Sequence, residues 1–135
     1  MKTAFRNDHR YFRSGRNFGP GAGGGANCAH PRLYKRMLSA ASLVEIGIVM
    51  QARRGDDGAR DLDLLLAKLR VEIAAFTARQ AEIARKAFRR YGRGRHDAKL
   101  NFGACFAYAL AKDQSAPLLF KGDDFSQTDV IVAPY

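Results

Sequence analysis

A chain of 135 residues, 47% of them hydrophobic, has the size and apolar content of a single domain with one core. No apolar run approaches the roughly 20 residues that cross a bilayer, and none resembles a signal peptide, so we expect a cytoplasmic protein that binds no membrane. In that compartment Cys28 and Cys105, which lack metal-ligand spacing, should stay reduced thiols.

The positive charge lies mostly at one end of the chain. The protein has a formal net charge of +10, and residues 1–36 hold eight Lys and Arg residues against one Asp. A strongly basic protein ordinarily binds a polyanion, because Lys and Arg displace counterions from phosphates. Since the remaining chain is nearly balanced, a general basic nucleic-acid-binding protein is the weakest of the hypotheses considered.

Residues 1–31 show no helical or strand periodicity. They include the run GPGAGGG at 19–25, which is too flexible for a packed element. We predict an irregular Gly- and Arg-rich segment at 1–31 that adds little to the core, and a folded domain at 32–135. An Arg-rich RNA-binding tail is the functional interpretation of the first segment, and a solvated or mistranslated segment is the plainer one.

From residue 33 onward, apolar periodicity predicts alternating strands and helices. Thr77 and Gln80 form a capping box that marks a helix start, and Gly92 marks its end. The predicted elements are a strand at 34–38, helices at 39–55 and 61–69, a strand at 71–76, helices at 77–92 and 103–112, and a strand at 118–120. This order predicts an α/β domain with a parallel sheet and helices on both faces, which binds ligands beyond the carboxyl ends of its strands.

Four carboxylates lie near the predicted strand ends. Glu45 follows the first strand, and Asp123, Asp124 and Asp129 surround the end of the last one. Carboxylates that converge at a sheet edge repel one another unless a divalent cation neutralises them, and Mg²⁺ or Mn²⁺ is the natural occupant. Such an ion orients a water molecule for attack on a phosphodiester.

Each of these acids also has a structural explanation. Ser42 and Glu45 have capping-box spacing, so spacing alone leaves Glu45 equally open as a helix cap. Asp123 and Asp124 occupy a KGDD turn, and Asp129 has the character of a cap. Spacing therefore does not decide between ligand and structural roles.

A basic loop at 92–99 (GRGRHDAK) precedes the helix at 103–112. The side chains available to RNA phosphates are Arg93, Arg95, His96 and Lys99 in this loop and Lys121 in the later turn. A charged loop is more often simply solvated. His96 has no well-placed Ser or Cys partner, so the pattern gives no catalytic triad.

Three segments of the chain resemble one protein family. They read SAASLVEIGIVMQARRG, YGRGRHDAKLNFGACFAYALAK and PLLFKGDDFSQTDV, and they are similar in order and wording to the PIN-domain VapC toxins of bacterial type II toxin–antitoxin pairs. The resemblance covers residues 37–132. It implies a PIN-like α/β fold and an endoribonuclease that depends on Mg²⁺ or Mn²⁺, cuts cellular RNA, forms a homodimer and is inhibited by a VapB-like antitoxin.

The resemblance also implies site residues. The family's helix glutamate corresponds to Glu45, and the aspartate after its last strand corresponds to Asp124. These are the implied catalytic residues and metal ligands, with Asp129 as a frequent neighbour, and the position of Asp123 near the last strand makes it a further candidate ligand. Two features depart from the family pattern, because the first strand with its D-T-S-A motif is missing or replaced and Ala104 stands where aspartate is common. Both departures remove metal ligands or their support, so we expect impaired cleavage.

A frameshift is our hypothesis for the absent motif. Residues 5–12 (FRNDHRYF), back-translated with permissible codons and read one base later, give Ser-Ala-Met-Ile-Ile-Ala-Ile, which resembles the family's lost strand and helix start. Resequencing the locus tests this hypothesis, and a confirmed uninterrupted frame through residues 1–40 would contradict it.

Two functions from different classes remain. The first is a metal-dependent endoribonuclease toxin that is impaired in this chain. The second is a degenerate PIN module that binds RNA or a VapB-like antitoxin without cutting. Calorimetric measurement of metal binding separates the two.

Overall fold

The computed structural model describes residues 3–6 and 35–134. In chain order its elements are β1 Thr3–Arg6, β2 Lys35–Ser39, α1 Ala40–Lys68, β3 Glu72–Ala74, α2 Ala78–Tyr91, α3 Phe102–Asp113 and β4 Leu118–Leu119. The predicted α/β class is confirmed. None of the helices within the described residues combines the length and apolarity that a bilayer-spanning segment needs.

The four strands form one sheet in the order β3-β2-β1-β4. The predicted parallel pairing is confirmed for β2 and β3, where Met37 lies opposite Glu72. β1 lies between β2 and β4 and is antiparallel to both, with Ala4 opposite Met37 on one side and Leu118 on the other. The sheet is therefore mixed, and one of its two inner strands, β1, comes from the start of the chain.

β1 lies inside the segment that the sequence predicted to be irregular. That prediction is wrong for Thr3–Arg6, because its backbone groups pair with strands on both sides and the pairing requires no side-chain periodicity. Of the two alternatives for the family's first strand, missing or replaced, the sheet shows replacement. The GPGAGGG run lies outside the described residues, so the boundary at residue 31 and the frameshift stay predictions.

The predicted helices at 39–55 and 61–69 are two arms of the single element α1. The break is at Gly55, which has φ +59° and ψ −146°, a backbone conformation that glycine adopts without strain. The arms approach closely at Gly58, where an added Cβ would lie 2.5 Å from the carbonyl oxygen of Met50. Two small residues therefore set the angle and the spacing of the arms.

α2 and α3 pack together and form most of the core. The Thr77 hydroxyl accepts a hydrogen bond of 3.2 Å from the Gln80 amide, and the Asn101 side chain accepts one of 2.8 Å from the Ala104 amide, so both helix starts are capped. Small side chains at the contact allow close approach of the two helices. The buried residues are Gln80, Ala84, Ala87 and Tyr91 of α2 and Gly103, Ala104, Cys105, Ala107, Tyr108, Ala109, Leu110 and Ala111 of α3.

Candidate active site

The sheet topology brings two predicted site residues to one edge. β2 and β4 are both antiparallel to β1, so they run in the same direction and their carboxyl ends share an edge. Glu45 lies in α1, which begins directly after β2, and Asp124 lies in the turn region after β4. With β1 between them, the two strand ends are about 10 Å apart. This placement is compatible with a paired role for Glu45 and Asp124, which stays a prediction.

Glu45 is not a helix cap. α1 begins at Ala40 with Ser39 as its N-cap, so Ser42 lies in the first turn and Glu45 in the second. The capping-box interpretation of Ser42 and Glu45 is therefore wrong, because a capping glutamate stands at the third helical position. The side chain of Glu45 is free for another role.

The Glu45 carboxylate rests on Gly103, in the first turn of α3. A Cβ added at Gly103 would overlap both carboxylate oxygens of Glu45, so the carboxylate occupies the space that any other residue would fill. The first turn of a helix carries the positive end of the helix dipole, which favours an anionic group. The Glu45 carboxylate can therefore lie at the start of α3 because residue 103 has no side chain.

This contact lies in a cleft of about 760 Å³ between the two arms of α1 and the start of α3. Polar groups occupy one end, where Arg54 and Asp61 form an ion pair of 2.7 Å across the two arms. Apolar side chains form most of the wall. The lining residues are Ser42, Glu45, Ile46, Val49, Met50, Arg54, Asp61, Leu62, Leu64, Leu65, Lys68, Asn101, Gly103 and Ala104.

Two oxygen-bearing side chains in the cleft, Glu45 and Ser42, have no side-chain partner among the described residues. Within the described part of the chain, Glu45 is exposed and has no hydrogen bond or ion pair with another side chain. The buried hydroxyl of Ser42 likewise finds no partner among the described residues. Buried polar groups are normally paired, so an unpaired hydroxyl beside an open carboxylate suggests a site that a ligand or water completes.

Asp129, by contrast, is already engaged. Its Oδ1 accepts a hydrogen bond of 2.7 Å from the Tyr108 hydroxyl, and its Oδ2 forms an ion pair of 3.1 Å with Lys112. The Tyr108 hydrogen bond lowers the pKa of Asp129, and burial together with the same bond raises the pKa of Tyr108. Asp129 therefore ties the C-terminal segment to α3.

The other two predicted acids lie in the turn after β4. The carbonyl oxygen of Asp123 accepts hydrogen bonds from the amide and the hydroxyl of Ser126, at 3.1 and 2.7 Å, and its side chain is exposed. Asp124 is half-buried. Asp123 therefore has a structural role in the turn. Metal binding by Asp123 and Asp124 stays a prediction.

The oxygen donors of the cleft suit a hard cation in kind, because Mg²⁺ prefers carboxylate, hydroxyl and water oxygens. They fall short in number. Across residues 35–134, no three Asp, Glu, His or Cys side chains converge where a metal ion could be held. Ala104, which is 1% exposed, lines the cleft beside Gly103 and offers no oxygen. The described residues therefore offer oxygens of the kind that a hard cation binds, and they do not form a complete protein site for one.

The predicted RNA-binding residues are mostly exposed. Arg93, Arg95, Lys99 and Lys121 all face solvent. His96 has a structural contact, since its Nδ1 accepts a hydrogen bond of 3.1 Å from the Ala98 amide and its ring packs edge-on against Tyr91.

Two features of this region were not predicted from sequence. Asn101 and Gly103 position the start of α3 against Glu45, and the only advance indication was an N-cap residue three places before Ala104. Lys86, Arg89 and Arg90 of α2 form a shallow depression together with Arg95. Their spacing of three and four residues places them on one side of a helix and is visible in the sequence.

Comparison with known proteins gives a consistent result. A family model described as "PIN domain" matches residues 26–131. Ribonuclease VapC of Mycolicibacterium smegmatis is 54% identical over 95 residues, which are 70% of this chain and 74% of that protein. Ribonuclease VapC30 of Mycobacterium tuberculosis is 52% identical over 95 residues, 70% and 72% of the two chains, and VapC28 of that species is 48% identical over 96 residues, also 70% and 72%.

Proposed function

Because this chain belongs to the PIN-domain family, among the VapC toxins, we propose that it is a cytoplasmic endoribonuclease toxin that cleaves cellular RNA with impaired activity. The observation that carries the proposal is the position of the Glu45 carboxylate against Gly103. Its carboxylate is exposed in an open cleft, at the position that Gly103 leaves vacant, and it has no side-chain partner within the described residues. The start of a helix favours an anionic group, and the buried Ser42 hydroxyl in the same cleft has no partner among the described residues, so a ligand would complete both groups.

Glu45 and Asp124 are the proposed catalytic carboxylates, and both would hold a Mg²⁺ or Mn²⁺ ion. When bound, such an ion would activate water and neutralise charge that develops on the phosphodiester. Asp123 is a further candidate ligand in the same turn. Asp129 is the weakest of the four, because both of its oxygens are engaged by α3.

The impairment follows from the small number of oxygen donors. Mg²⁺ often binds through one or two carboxylates and takes its remaining ligands from water and substrate phosphate. A site of this kind binds metal weakly until RNA arrives. Ala104 deepens the defect, because it stands in the cleft wall where an aspartate would face Glu45.

The basic side chains of the loop at 92–99, together with Lys121 of the turn after β4, are proposed to hold RNA. Arg93, Arg95, Lys99 and Lys121 are exposed, and their charge favours phosphate by counterion release. His96 contributes less, since its Nδ1 already accepts a hydrogen bond within the loop.

The apolar wall of the cleft is the proposed docking place for a VapB-like antitoxin. Val49, Leu64 and Leu65, which line the cleft, are 41%, 63% and 45% exposed, which is unusual for large apolar side chains on one helical hairpin. An amphipathic segment of the antitoxin would cover them and close the cleft over Glu45. A homodimer is proposed on the resemblance, and light scattering of the purified chain tests it.

A degenerate PIN module that binds RNA or antitoxin without cutting is the second candidate. One observation favours it: within residues 35–134 the acidic side chains do not converge into a three-ligand metal site.

The test is RNA cleavage by the full chain with Mn²⁺ and with EDTA. We expect slow cleavage that EDTA stops, that Glu45→Gln abolishes and that Asp63→Asn leaves unchanged, because Asp63 is an exposed acid of α1 outside the cleft. Calorimetry on the same samples measures Mn²⁺ binding. Absence of both cleavage and Mn²⁺ binding in the parent chain would contradict the ribonuclease and support the non-cutting module.

A further inference from the structure

The C-terminal half of α2 carries cations that the cleft does not use. Lys86, Arg89 and Arg90 are three and four residues apart, so they lie on one side of the helix. Arg95, from the loop that follows, joins them around a depression of about 330 Å³. We refer to these four residues as the α2 basic cluster.

The charges of the α2 basic cluster are not neutralised within the described residues. All four side chains are exposed, and none forms an ion pair there. Other cations of the same helix do have partners, since Arg79 pairs with Asp113 at 2.7 Å and Arg85 pairs with Glu82 at 2.8 Å. Like charges at helical spacing repel one another, so the cluster is a surface that an anion would stabilise.

A structural explanation covers only part of the cluster. Cations in the last turn of a helix interact favourably with its dipole, which accounts for Arg89 and Arg90. Lys86 lies one turn earlier and Arg95 lies in the loop, so the dipole does not explain why they gather there. Arg90 also lies 4.9 Å from the ring centre of Tyr91, a contact that holds its guanidinium group in place.

The α2 basic cluster lies at the same end of the helix pair as Glu45. The Leu100 amide donates a hydrogen bond of 2.9 Å to the Tyr91 carbonyl, and the Arg93 amide donates one of 3.1 Å to the Leu100 carbonyl. These bonds hold the start of α3 beside the end of α2. Gly103, on which Glu45 rests, is three residues from Leu100 and so at most about 10 Å away along the chain.

We propose that the α2 basic cluster binds backbone phosphates of an RNA strand held in the Glu45 cleft. The inference rests on the proposed ribonuclease function and adds a second contact region to it. Arginine grips phosphate through two parallel hydrogen bonds, and lysine acts as a point charge. All four residues that line the depression are cationic, and phosphate contacts of this kind position a strand without reading its bases.

An acidic protein partner is the less favoured ligand. A stable protein interface normally has a buried aromatic or apolar anchor at its centre, and the four residues that line this depression are all cationic. The test below separates the two ligands.

The test measures RNA binding without cutting. A Glu45→Gln background in EDTA prevents cleavage, and fluorescence anisotropy follows a labelled single-stranded RNA over a range of KCl concentrations. The cluster variant is Lys86→Gln/Arg89→Gln/Arg90→Gln. The control variant, Arg53→Gln/Arg60→Gln/Arg70→Gln, removes the same charge from exposed residues outside the cluster.

We expect the cluster variant to bind RNA at least tenfold more weakly at low salt. Three lost phosphate contacts should reduce the slope of log affinity against log salt by about 2, since each contact to a single strand contributes about 0.7. The control should bind within about twofold of the background, because counterion release requires contact. Circular dichroism melting of both variants checks that they fold.

Several outcomes would overturn the proposal. Equal losses in the cluster and control variants would show a net-charge effect. Unchanged RNA binding with weakened binding of poly-glutamate would assign the cluster to an acidic protein. Cleavage is read separately on the chain with Glu45 intact, so a parent that binds RNA through the cluster but does not cut supports this inference and contradicts the proposed catalysis.

Discussion

The carboxylates near the two ends of α3 differ in the partners that they have. Near its C-terminal end, Asp113 and Asp129 each receive two partners from side chains of α2 or α3. At its N-terminal end, Glu45 touches only the vacant side of Gly103 and faces an open cleft. The first two acids use their charge to hold segments together, whereas Glu45 keeps its charge available. An acid's surroundings, more than its position near a strand end, therefore distinguish a structural role from a ligand role.

Asp113→Ala should give the largest loss of stability. The change removes the acceptor of the 3.1 Å hydrogen bond from Gln80, which is 2% exposed and whose Oε1 has no partner within the described residues. An unsatisfied buried amide should lower the free energy of unfolding by about 2–3 kcal/mol. Urea denaturation measures this, and Asp63→Ala, an exposed control, should stay within about 0.5 kcal/mol of the parent. A drop in cleavage per folded molecule would show that this end of α3 also serves the site.

Gly103→Ala should separate stability from activity. The new methyl group takes the place of the Glu45 carboxylate, a flexible group that can move aside, so the helix keeps its stability or gains up to about 1 kcal/mol from the residue change. Cleavage should fall about 10- to 100-fold, because the Glu45 carboxylate is displaced from its position against residue 103. Gly47→Ala is the matched control, since an added Cβ there meets nothing within 4 Å. Equal cleavage by both variants would show that the contact between Glu45 and Gly103 does not contribute to cleavage.

Ala104→Asp should raise Mn²⁺ affinity about tenfold. The new carboxylate enters the cleft wall beside Glu45, in a helix turn that tolerates negative charge. Because Ala104 is 1% exposed, the variant should be less stable without metal and regain stability when Mn²⁺ is added. Calorimetry measures the affinity. The gain should vanish in Glu45→Gln/Ala104→Asp, and a gain that survives there would mean that the two residues do not share an ion.

Tyr108→Phe should give the smallest effect and a characteristic pH dependence. The variant loses the hydrogen bond that lowers the pKa of Asp129, so its free energy of unfolding at pH 7 should fall by about 1 kcal/mol. A carboxyl group with a lowered pKa stabilises the fold above its unfolded pKa, near 3.9, and loses that contribution as the pH falls through the folded value. The difference between the parent and the variant should therefore begin to shrink as the pH falls below about 4 and should vanish only below the folded pKa of Asp129. Thermal melts at pH 7, 5 and 3 measure this, and a constant difference would assign the effect to packing alone.

The sequence predicted the capped helices α2 and α3 well and the inner strand β1 not at all. α2 was predicted closely because Thr77 caps it and its buried face recurs at helical spacing. β1 was missed because four residues carry no periodicity, and its partners Met37 and Leu118 lie far along the chain. A local pattern in the sequence indicates only the local preference for helix or strand. β1 is defined instead by its pairing with residues far along the chain.

The site shows the same division. Glu45 was chosen through family resemblance, and spacing alone left it equal to a cap until the observed start of α1 at Ala40 excluded that role. Its contact with Gly103 joins residues from two helices, so no reading of either helix alone would reveal it. The partners of Asp129 are hidden for the same reason, because Tyr108 and Lys112 lie in α3 whereas Asp129 lies in the irregular segment after β4.

The position of β1 also bears on the order in which the protein is made and folded. Ala4 pairs with Leu118 as well as with Met37, so the sheet joins one of the earliest residues to one of the latest. Closing so long a loop is entropically costly, and contacts of high sequence separation slow folding. The sheet cannot close on the ribosome before Leu118 has been synthesised. The sheet therefore stays incomplete until nearly all of the described chain has been synthesised.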